Sequence, residues 1–210
     1  MSQLENDIHI MESRWKSGKA SKRALSNDEE WIELDCFLSD CSKLKERHKE
    51  LQKNCTWLGM KNKDLVPLES IHKDILCHKQ ANETMVIFNQ EQRKMFAKKW
   101  RGFNLKHLYT FLAQWKLRIE ELRNTSFYDN ISKKIASLDK SISVLKYCCG
   151  DAYKDEHWAE LLHEILCMPE QISLKEVTLN DFMEASDKLL LPSTITSAQK
   201  LQRRYVFVYN

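Results

Sequence analysis

Apolar residues recur at helical spacing along most of this chain, separated by short polar breaks. Between residues 34 and 58, one series repeats every seven residues and a second is interleaved with it. This is the a/d pattern of a helix packed along a partner. We interpret the polar member, His48, as a packed, hydrogen-bonded or partly exposed side chain rather than a ligand. The two series are Leu34, Cys41, His48 and Cys55, and Phe37, Leu44, Leu51 and Leu58.

Local signals mark the ends of this helix and the start of the next. Ser26 or Asn27, each followed three residues later by a glutamate, can form a capping box that opens the first helix. Gly59 marks its end, and Pro67 fits the first turn of a second helix, where the missing N–H costs nothing. We predict that the second helix runs antiparallel to the first and that Gly102 bends it.

Further apolar stripes predict more helices. The stripe over residues 105–122 alternates strictly between steps of three and four and is the strongest in the chain, which is typical of a core-facing helix. Another stripe covers residues 131–145. Shorter helices are predicted over residues 155–166 and after Thr178, which can form a capping box with Asp181.

The pattern divides the chain into three predicted parts. Residues 1–26 alternate polar and basic residues with few apolar anchors, so we predict a flexible leader. Residues 27–191 form the predicted helical domain. Residues 192–210 form a divergent tail that is first rich in Ser and Thr and then ends in an apolar, β-prone segment with no evident place to pack.

Composition supports an all-α fold. Four glycines and three prolines accompany 30% charged residues, a balance that favours long solvated helices over sheets or loops. We therefore predict an elongated bundle of long antiparallel helices. Because 33 basic residues are mixed with 30 acidic ones, no broad cationic face is expected, and we predict no nucleic-acid binding.

Cysteine usage and hydropathy indicate a cytosolic protein. Seven cysteines with irregular spacing are typical of reduced thiols rather than a disulfide framework. The polar, acidic first residues do not form a secretory signal, and no apolar run approaches membrane-spanning length. The sequence thus predicts a soluble chain without membrane insertion.

No motif for catalysis, a cofactor or a metal is found. A phosphate-binding loop of the form Gly-x-x-x-x-Gly-Lys-Ser/Thr is absent, since the only glycines are at positions 18, 59, 102 and 150. Structural zinc sites usually take ligand pairs two to four residues apart, whereas Cys36 and Cys41 are five apart and Cys148 and Cys149 are adjacent. We predict no catalytic residue, no cofactor, no metal and no enzymatic activity.

One segment resembles a signature of dynein heavy chains. Leu145-Lys146-Tyr147 is followed by Gly150 and then by a His-Trp pair that opens a helix with leucines behind it. The resemblance covers residues 30–191, and within the family this segment is most similar to the cytoplasmic dynein of intraflagellar transport. The residues that carry it are Trp100, Trp115, Leu145, Tyr147, Gly150, His157, Trp158, Leu161 and Leu162.

The resemblance implies the N-terminal part of the dynein linker, a rod of packed helices that spans the ATPase ring and joins it to the tail. Because dynein heavy chains are many times longer than 210 residues, it also implies a fragment without the ATPase ring. The implied partner is the remainder of a heavy chain. Intermediate chains, light chains and microtubules would be reached only through the full complex.

The resemblance further implies a role in minus-end-directed microtubule transport, most similar to retrograde intraflagellar transport, in the cytoplasm, cytoskeleton and cilium. Two interpretations of His157 and Trp158 stay open: a structural one, in which Trp fills a helix join and His caps the preceding turn, and a contact surface for another part of the motor. An alternative function is an independent helical or coiled-coil scaffold that binds a partner helix through the seam at residues 34–58. An enzyme of unknown type comes third.

Overall fold

The computed structural model describes residues 2–21, 27–60, 66–123, 126–149, 154–165 and 175–206. Within these ranges the chain forms α-helices and no β-strand, which confirms the all-α prediction. Packing divides it into two compact units, Met1–Glu83 and Thr84–Asn210. The helices are α1 (Ser2–Ser21), α2 (Asn27–Trp57), α3 (Val66–Phe96), α4 (Leu105–Arg118), α5 (Ser126–Leu145), α6 (Asp155–Ala159), α7 (Leu179–Glu184), α8 (Ser186–Leu189) and α9 (Pro192–Val206).

The first unit contains α1, α2 and the first part of α3. Two cross-helix hydrogen bonds fix the direction of α3 against α2: Lys79 Nζ lies 2.8 Å from Asp35 Oδ1, and Lys45 Nζ lies 3.0 Å from His72 Nδ1. From the first contact to the second, the residue number increases in α2 and decreases in α3. The two helices are therefore antiparallel, as the sequence predicted.

The heptad seam of α2 forms the centre of this unit. Its positions from residue 34 to 48 are buried, and the apolar ones join residues of α1 and α3 in one core. Burial fades along the last turns, where Leu51 is half-buried and Leu58 is 74% exposed. The seam is thus filled by helices of the same chain over most of its length.

Residues 1–26 were predicted to be a flexible leader, but residues 2–21 form helix α1 in the structure. One stripe of α1 is buried in the core of the first unit. Its members follow steps of four, three and four, which place them on one helical face. Trp15 also donates from Nε1 to Asp74 Oδ2 of α3 at 2.7 Å. The stripe consists of Leu4, Ile8, Met11 and Trp15.

In the second unit, α4 and α5 carry the two predicted stripes, and a 3-10 turn at Ile119–Leu122 prolongs α4. Asn104 caps α4 by accepting a hydrogen bond from the backbone N–H of Lys106 at 2.9 Å. Gly102 does not bend a continuous helix as predicted, because α3 has already ended at Phe96. It adopts φ 81° in the turn before α4, a region that favours glycine.

Residues 192–210 were predicted to form a divergent tail whose apolar end has no evident place to pack. In the structure, residues 192–206 form helix α9. Pro192 suits the first position of a helix, and the buried residues Thr194, Ala198 and Leu201 follow helical steps. The last four residues, 207–210, lie outside the described ranges. Among the described helices, none is long and apolar enough to cross a membrane.

Candidate functional site

Trp100 is the centre of a buried junction in the second unit. Its side chain is 2% exposed, and its indole Nε1 donates a hydrogen bond to the backbone carbonyl of Cys148 at 2.7 Å. The ring centroid lies 4.5 Å from that of Phe182 and is stacked on Phe103 at 5.3 Å. We call Trp100, Phe103, Cys148 and Phe182 the Trp100 joint. It connects the turn before α4, the end of α5 and helix α7.

Backbone hydrogen bonds reinforce this joint. Lys99 and Thr178 form an isolated antiparallel bridge, in which the N–H of Trp100 donates to Val177 O at 2.7 Å and the N–H of Leu179 donates to Lys98 O at 3.1 Å. Because directed backbone bonds resist shear as well as separation, the bridge fixes the register between the two segments.

The capping box predicted at Thr178 is present beside the bridge. The Asp181 carboxylate accepts hydrogen bonds from the Thr178 N–H at 2.7 Å and from its hydroxyl at 2.8 Å. Thr178 is therefore held on both sides, by the bridge to Lys99 and by the first turn of α7.

The His-Trp pair lies at the start of α6 and is buried, with His157 7% and Trp158 6% exposed. His157 Nδ1 accepts a hydrogen bond from the backbone N–H of Lys154 at 3.0 Å, which caps the helix. An ion pair of 2.9 Å between Arg101 and Asp155 links this helix start to the turn that carries Trp100. The cap is the one that the structural interpretation gives to His157.

The signature leucines follow in a π-helical turn at Glu160–Ile165, and both Leu161 and Leu162 are buried. Helix α9 packs on this turn, and Arg204 lies 3.4 Å from Glu160. The described residues thus place part of the predicted tail against the signature segment.

The end of α5 supplies the remaining signature residues. Leu145 is fully buried, and Tyr147 is half-buried. Hydrogen bonds with the side chains of Lys146 and then Gln199 lower the pKa of the Tyr147 phenol. The contact with Gln199 connects this segment to α9. Gly150 lies outside the described residues.

Trp115 belongs to a different set of contacts. Its ring is 1% exposed, packs edge-to-face on Phe88 at 5.0 Å and lies under the Arg118 guanidinium at 5.1 Å. Its Nε1 donates to Glu91 Oε2 at 2.8 Å. The structure therefore uses Trp115 to hold α4 on the end of α3, apart from the Trp100 joint.

The thiol at the joint is unsuited to nucleophilic chemistry. Burial raises the pKa of Cys148 to about 12, so the sulfur stays protonated near neutral pH. Across the described parts of the chain, no group of three His, Cys, Asp or Glu side chains is arranged to hold a metal ion. What the arrangement can do is hold helices together.

Sequence reasoning missed the partners of Trp100. Nothing in the local pattern indicates that Phe103 and Phe182 pack on the Trp100 ring, or that Lys99 and Thr178 form an isolated bridge. The one local signal near it was the capping box at Thr178, which correctly marked the start of α7.

The described residues define an all-α protein whose candidate site is a buried joint between helices. Residues 68–200, more than half of the chain, match the family described as "Dynein heavy chain, N-terminal region 2". The chain belongs to the dynein heavy chain family. The match reaches residue 200 and so includes the first part of the tail that was predicted to diverge at residue 192.

Individual relatives agree with this assignment. The chain is 25% identical to cytoplasmic dynein 2 heavy chain 1 of Caenorhabditis elegans over 192 residues, covering 85% of this chain and 4% of the relative. It is 25% identical to the Mus musculus protein of the same name over 145 residues, covering 68% of this chain and 3% of the relative. The chain thus spans a small part of the curated relatives it matches. No solved structure matches it.

Proposed function

We propose that this chain forms the N-terminal part of a dynein linker, the mechanical element that couples the ATPase ring to the tail. The observation that carries the proposal is the Trp100 joint inside the region matched to the family. From the resemblance of the signature segment to the cytoplasmic dynein of intraflagellar transport, we further propose a role in minus-end-directed microtubule transport, specifically retrograde intraflagellar transport in cilia. The curated relatives carry the name cytoplasmic dynein 2 heavy chain 1.

A lever must resist bending, and the joint offers a physical basis for that. Moving the turn that carries Trp100 away from α7 would separate the rings of Trp100 and Phe182, which lie 4.5 Å apart, and would break the two backbone hydrogen bonds of the bridge. Both losses oppose the motion, because packed contacts lose dispersion energy over fractions of an ångström. The proposed role is mechanical and not catalytic, in keeping with a sequence that lacks a phosphate-binding loop.

The proposed function also implies which proteins this chain binds. The direct partner is the remainder of a dynein heavy chain. Intermediate chains, light chains and microtubules are partners of the complete complex, and the corresponding locations are the cytoplasm, the cytoskeleton and the cilium.

A chimeric motor tests the linker role. The segment of the mouse heavy chain that corresponds to residues 68–200 is replaced by those residues of this chain, and microtubule gliding and ATPase activity are both measured. We expect the chimera to glide and to keep its ATPase activity. Trp100→Ala in the chimera should slow gliding while ATPase activity persists, because the ring is intact and the lever is softened.

Leu117→Ala is the matched control in the chimera, since Leu117 is 76% exposed on α4. It should glide like the unmodified chimera. A chimera that hydrolyses ATP and binds microtubules but glides no differently with Trp100→Ala would contradict a mechanical role for the joint.

The structure weakens the main argument for the scaffold alternative, although one observation still favours it. The seam at residues 34–58 is occupied by α1 and α3, so most of its apolar residues face helices of the same chain. Trp57 and Leu58 remain 93% and 74% exposed at the end of α2. A mass that rises with protein concentration in sedimentation and falls with Trp57→Ser would favour the scaffold.

A further inference from the structure

The end of α3, the turn that follows it and helix α4 carry an excess of positive charge. Residues 92–119 contain eight Lys or Arg side chains and no Asp or Glu, whereas the whole chain mixes 33 basic residues with 30 acidic ones. All 28 residues of this stretch lie in the second unit and within the described ranges. The even mixing of charges expected from the whole sequence therefore does not hold here.

Three of these eight cations already bind a carboxylate. In each pair the carboxylate comes from a different helix than the cation or from outside the stretch. The pairs are Arg101 with Asp155 at 2.9 Å, Lys116 with Asp139 at 2.8 Å and Arg118 with Glu91 at 3.4 Å. Wherever a cation of this stretch has an ionic partner among the described residues, that partner is thus a side-chain carboxylate.

The other five cations are exposed, and none forms an ion pair with another residue that the structure describes. We call them the cationic patch. Because like charges repel, cations that lie so close together in the chain carry a cost that an acidic ligand would remove. The patch consists of Arg93, Lys94, Lys98, Lys99 and Lys106.

The first turn of α4 adds to this cost. Lys106 and His107 lie there, and the turn contains no acidic residue. The N-terminus of a helix is the positive end of its dipole, so a cation at this place is unfavourable and a carboxylate is favourable. Stability of the chain alone would favour Asp or Glu here, and an acidic ligand accounts for the choice of lysine.

The backbone beneath the patch is held in place. The N–H of Leu179 donates to Lys98 O at 3.1 Å, and Lys99 forms the isolated bridge with Thr178. Asn104 accepts a hydrogen bond from the N–H of Lys106 at 2.9 Å. Because these backbone positions are fixed before a ligand arrives, binding costs less conformational entropy.

We propose that the cationic patch binds an acidic segment of another protein, a stretch rich in Asp and Glu. The carboxylates of that segment would extend the pairing that Arg101 already makes with Asp155 at the edge of the patch. The site goes beyond the linker role and does not depend on it.

Two other polyanions fit the patch less well. A single-stranded nucleic acid would use exposed aromatic rings for base stacking, but Trp100 is buried and Phe96 and Phe103 are half-buried. A membrane surface would need apolar anchors, and none of the large exposed hydrophobic side chains lies within residues 93–106. An acidic protein segment needs neither feature.

The test is a titration of a fluorescent glutamate peptide with the full 210-residue chain, followed by fluorescence anisotropy. A glutamine peptide of the same length and label is the control for charge. We expect saturable binding of the glutamate peptide only. This binding should weaken as salt is raised to physiological ionic strength, where the Debye length is about 8 Å.

A triple variant locates the site. Lys98→Gln, Lys99→Gln and Lys106→Gln together should weaken binding of the glutamate peptide about tenfold or more, because charge-assisted contacts are removed. The three side chains are exposed, so the variant should melt no lower than the wild type.

A second triple variant with the same loss of charge is the matched control. It combines Lys53→Gln in α2 with Lys133→Gln and Lys140→Gln in α5, all at exposed positions outside the patch. It should bind the glutamate peptide like the wild type.

Three results would overturn the proposal. One is a glutamate peptide that binds no better than the glutamine peptide. Another is an equal loss of affinity in the two triple variants, since net charge and not the patch would then govern binding. The third is tighter binding of a single-stranded oligonucleotide, or of vesicles that contain phosphatidylserine, than of the glutamate peptide.

Discussion

Trp100 contributes to stability in two ways, through the burial of its large ring and through the hydrogen bond that its indole Nε1 donates. Substitutions can separate these two contributions. Trp100→Phe keeps most of the ring and leaves the carbonyl of Cys148 without its donor, so we expect a loss of about 1–3 kcal/mol in the free energy of unfolding. Trp100→Ala should cost about 3–5 kcal/mol. Urea unfolding followed by circular dichroism measures both.

Trp57→Phe is the control for these variants, because Trp57 is 93% exposed and its truncation should leave stability within about 0.5 kcal/mol of the wild type. If Trp100→Phe were as neutral as this control, the indole hydrogen bond would not hold the joint.

Cysteine reactivity is a second test at the residue scale. Burial raises the pKa of Cys148 to about 12 and that of Cys41 to about 11, whereas Cys36 and Cys77 are exposed. We expect iodoacetamide to label Cys36 and Cys77 of the folded chain rapidly and the two buried thiols only after unfolding. Peptide mass spectrometry gives the order, and early labelling of Cys148 would show that the joint opens.

Single residues were predictable where their partners are local in sequence. The cap formed by His157 followed from its place after two acidic residues, because its acceptor role involves a backbone N–H only three residues away. The partner of the Trp100 indole is a backbone carbonyl, that of Cys148, which any residue could supply. No residue type in the sequence therefore indicates it.

At the scale of elements, α1 offers a direct comparison between two isoleucines of one helix. Ile8 is 5% exposed and Ile10 is 50% exposed. Ile8→Ala should lower the free energy of unfolding by about 2–5 kcal/mol, as core truncations do, whereas Ile10→Ala should be nearly neutral. Thermal and urea unfolding test this prediction. Equally small losses of stability in both variants would contradict the packing of α1 in the core and would favour a flexible leader.

The contact between α2 and α3 predicts a dependence of stability on pH. Burial, and then the charge of Lys45, lower the pKa of His72 below its usual 6.5. As pH falls through 6.5, the unfolded chain binds this proton before the folded chain does, so the free energy of unfolding decreases. The stabilising contribution is present above pH 6.5 and is lost as pH drops through the folded pKa.

His72→Gln isolates this contribution from the other histidines. The difference in unfolding free energy between wild type and variant should shrink as pH is lowered from 8 to 5, because the variant carries no titrating group at this position. A difference that stays constant over this range would mean that His72 titrates alike in both states.

Element boundaries were predicted well where side chains cap their own helix. Gly59, with φ 65°, follows the end of α2, and the capping box at Thr178 opens α7, both as expected from short-range chemistry. Helix α1 was missed because its four anchors are diluted by polar and basic residues, so their common face was not recognised. The bridge between Lys99 and Thr178 depends on tertiary packing, which local patterns do not contain.

At the scale of the whole molecule, the family match and the joint lead to one interpretation. Residues 68–200 match an N-terminal region of dynein heavy chains, and packed aromatic rings and backbone hydrogen bonds hold the described part of this region together. The elongated arrangement of the bundle remains a prediction. The account requires that this stretch work as part of a heavy chain.

The size of the endogenous product tests that requirement most directly. An antibody raised against residues 130–190 is used to probe a cell lysate after denaturing electrophoresis. The account predicts a band many times heavier than 24.9 kDa, since the stretch matches only 4% of a relative's length. A dominant band near 24.9 kDa would contradict it and would make this a free-standing helical protein.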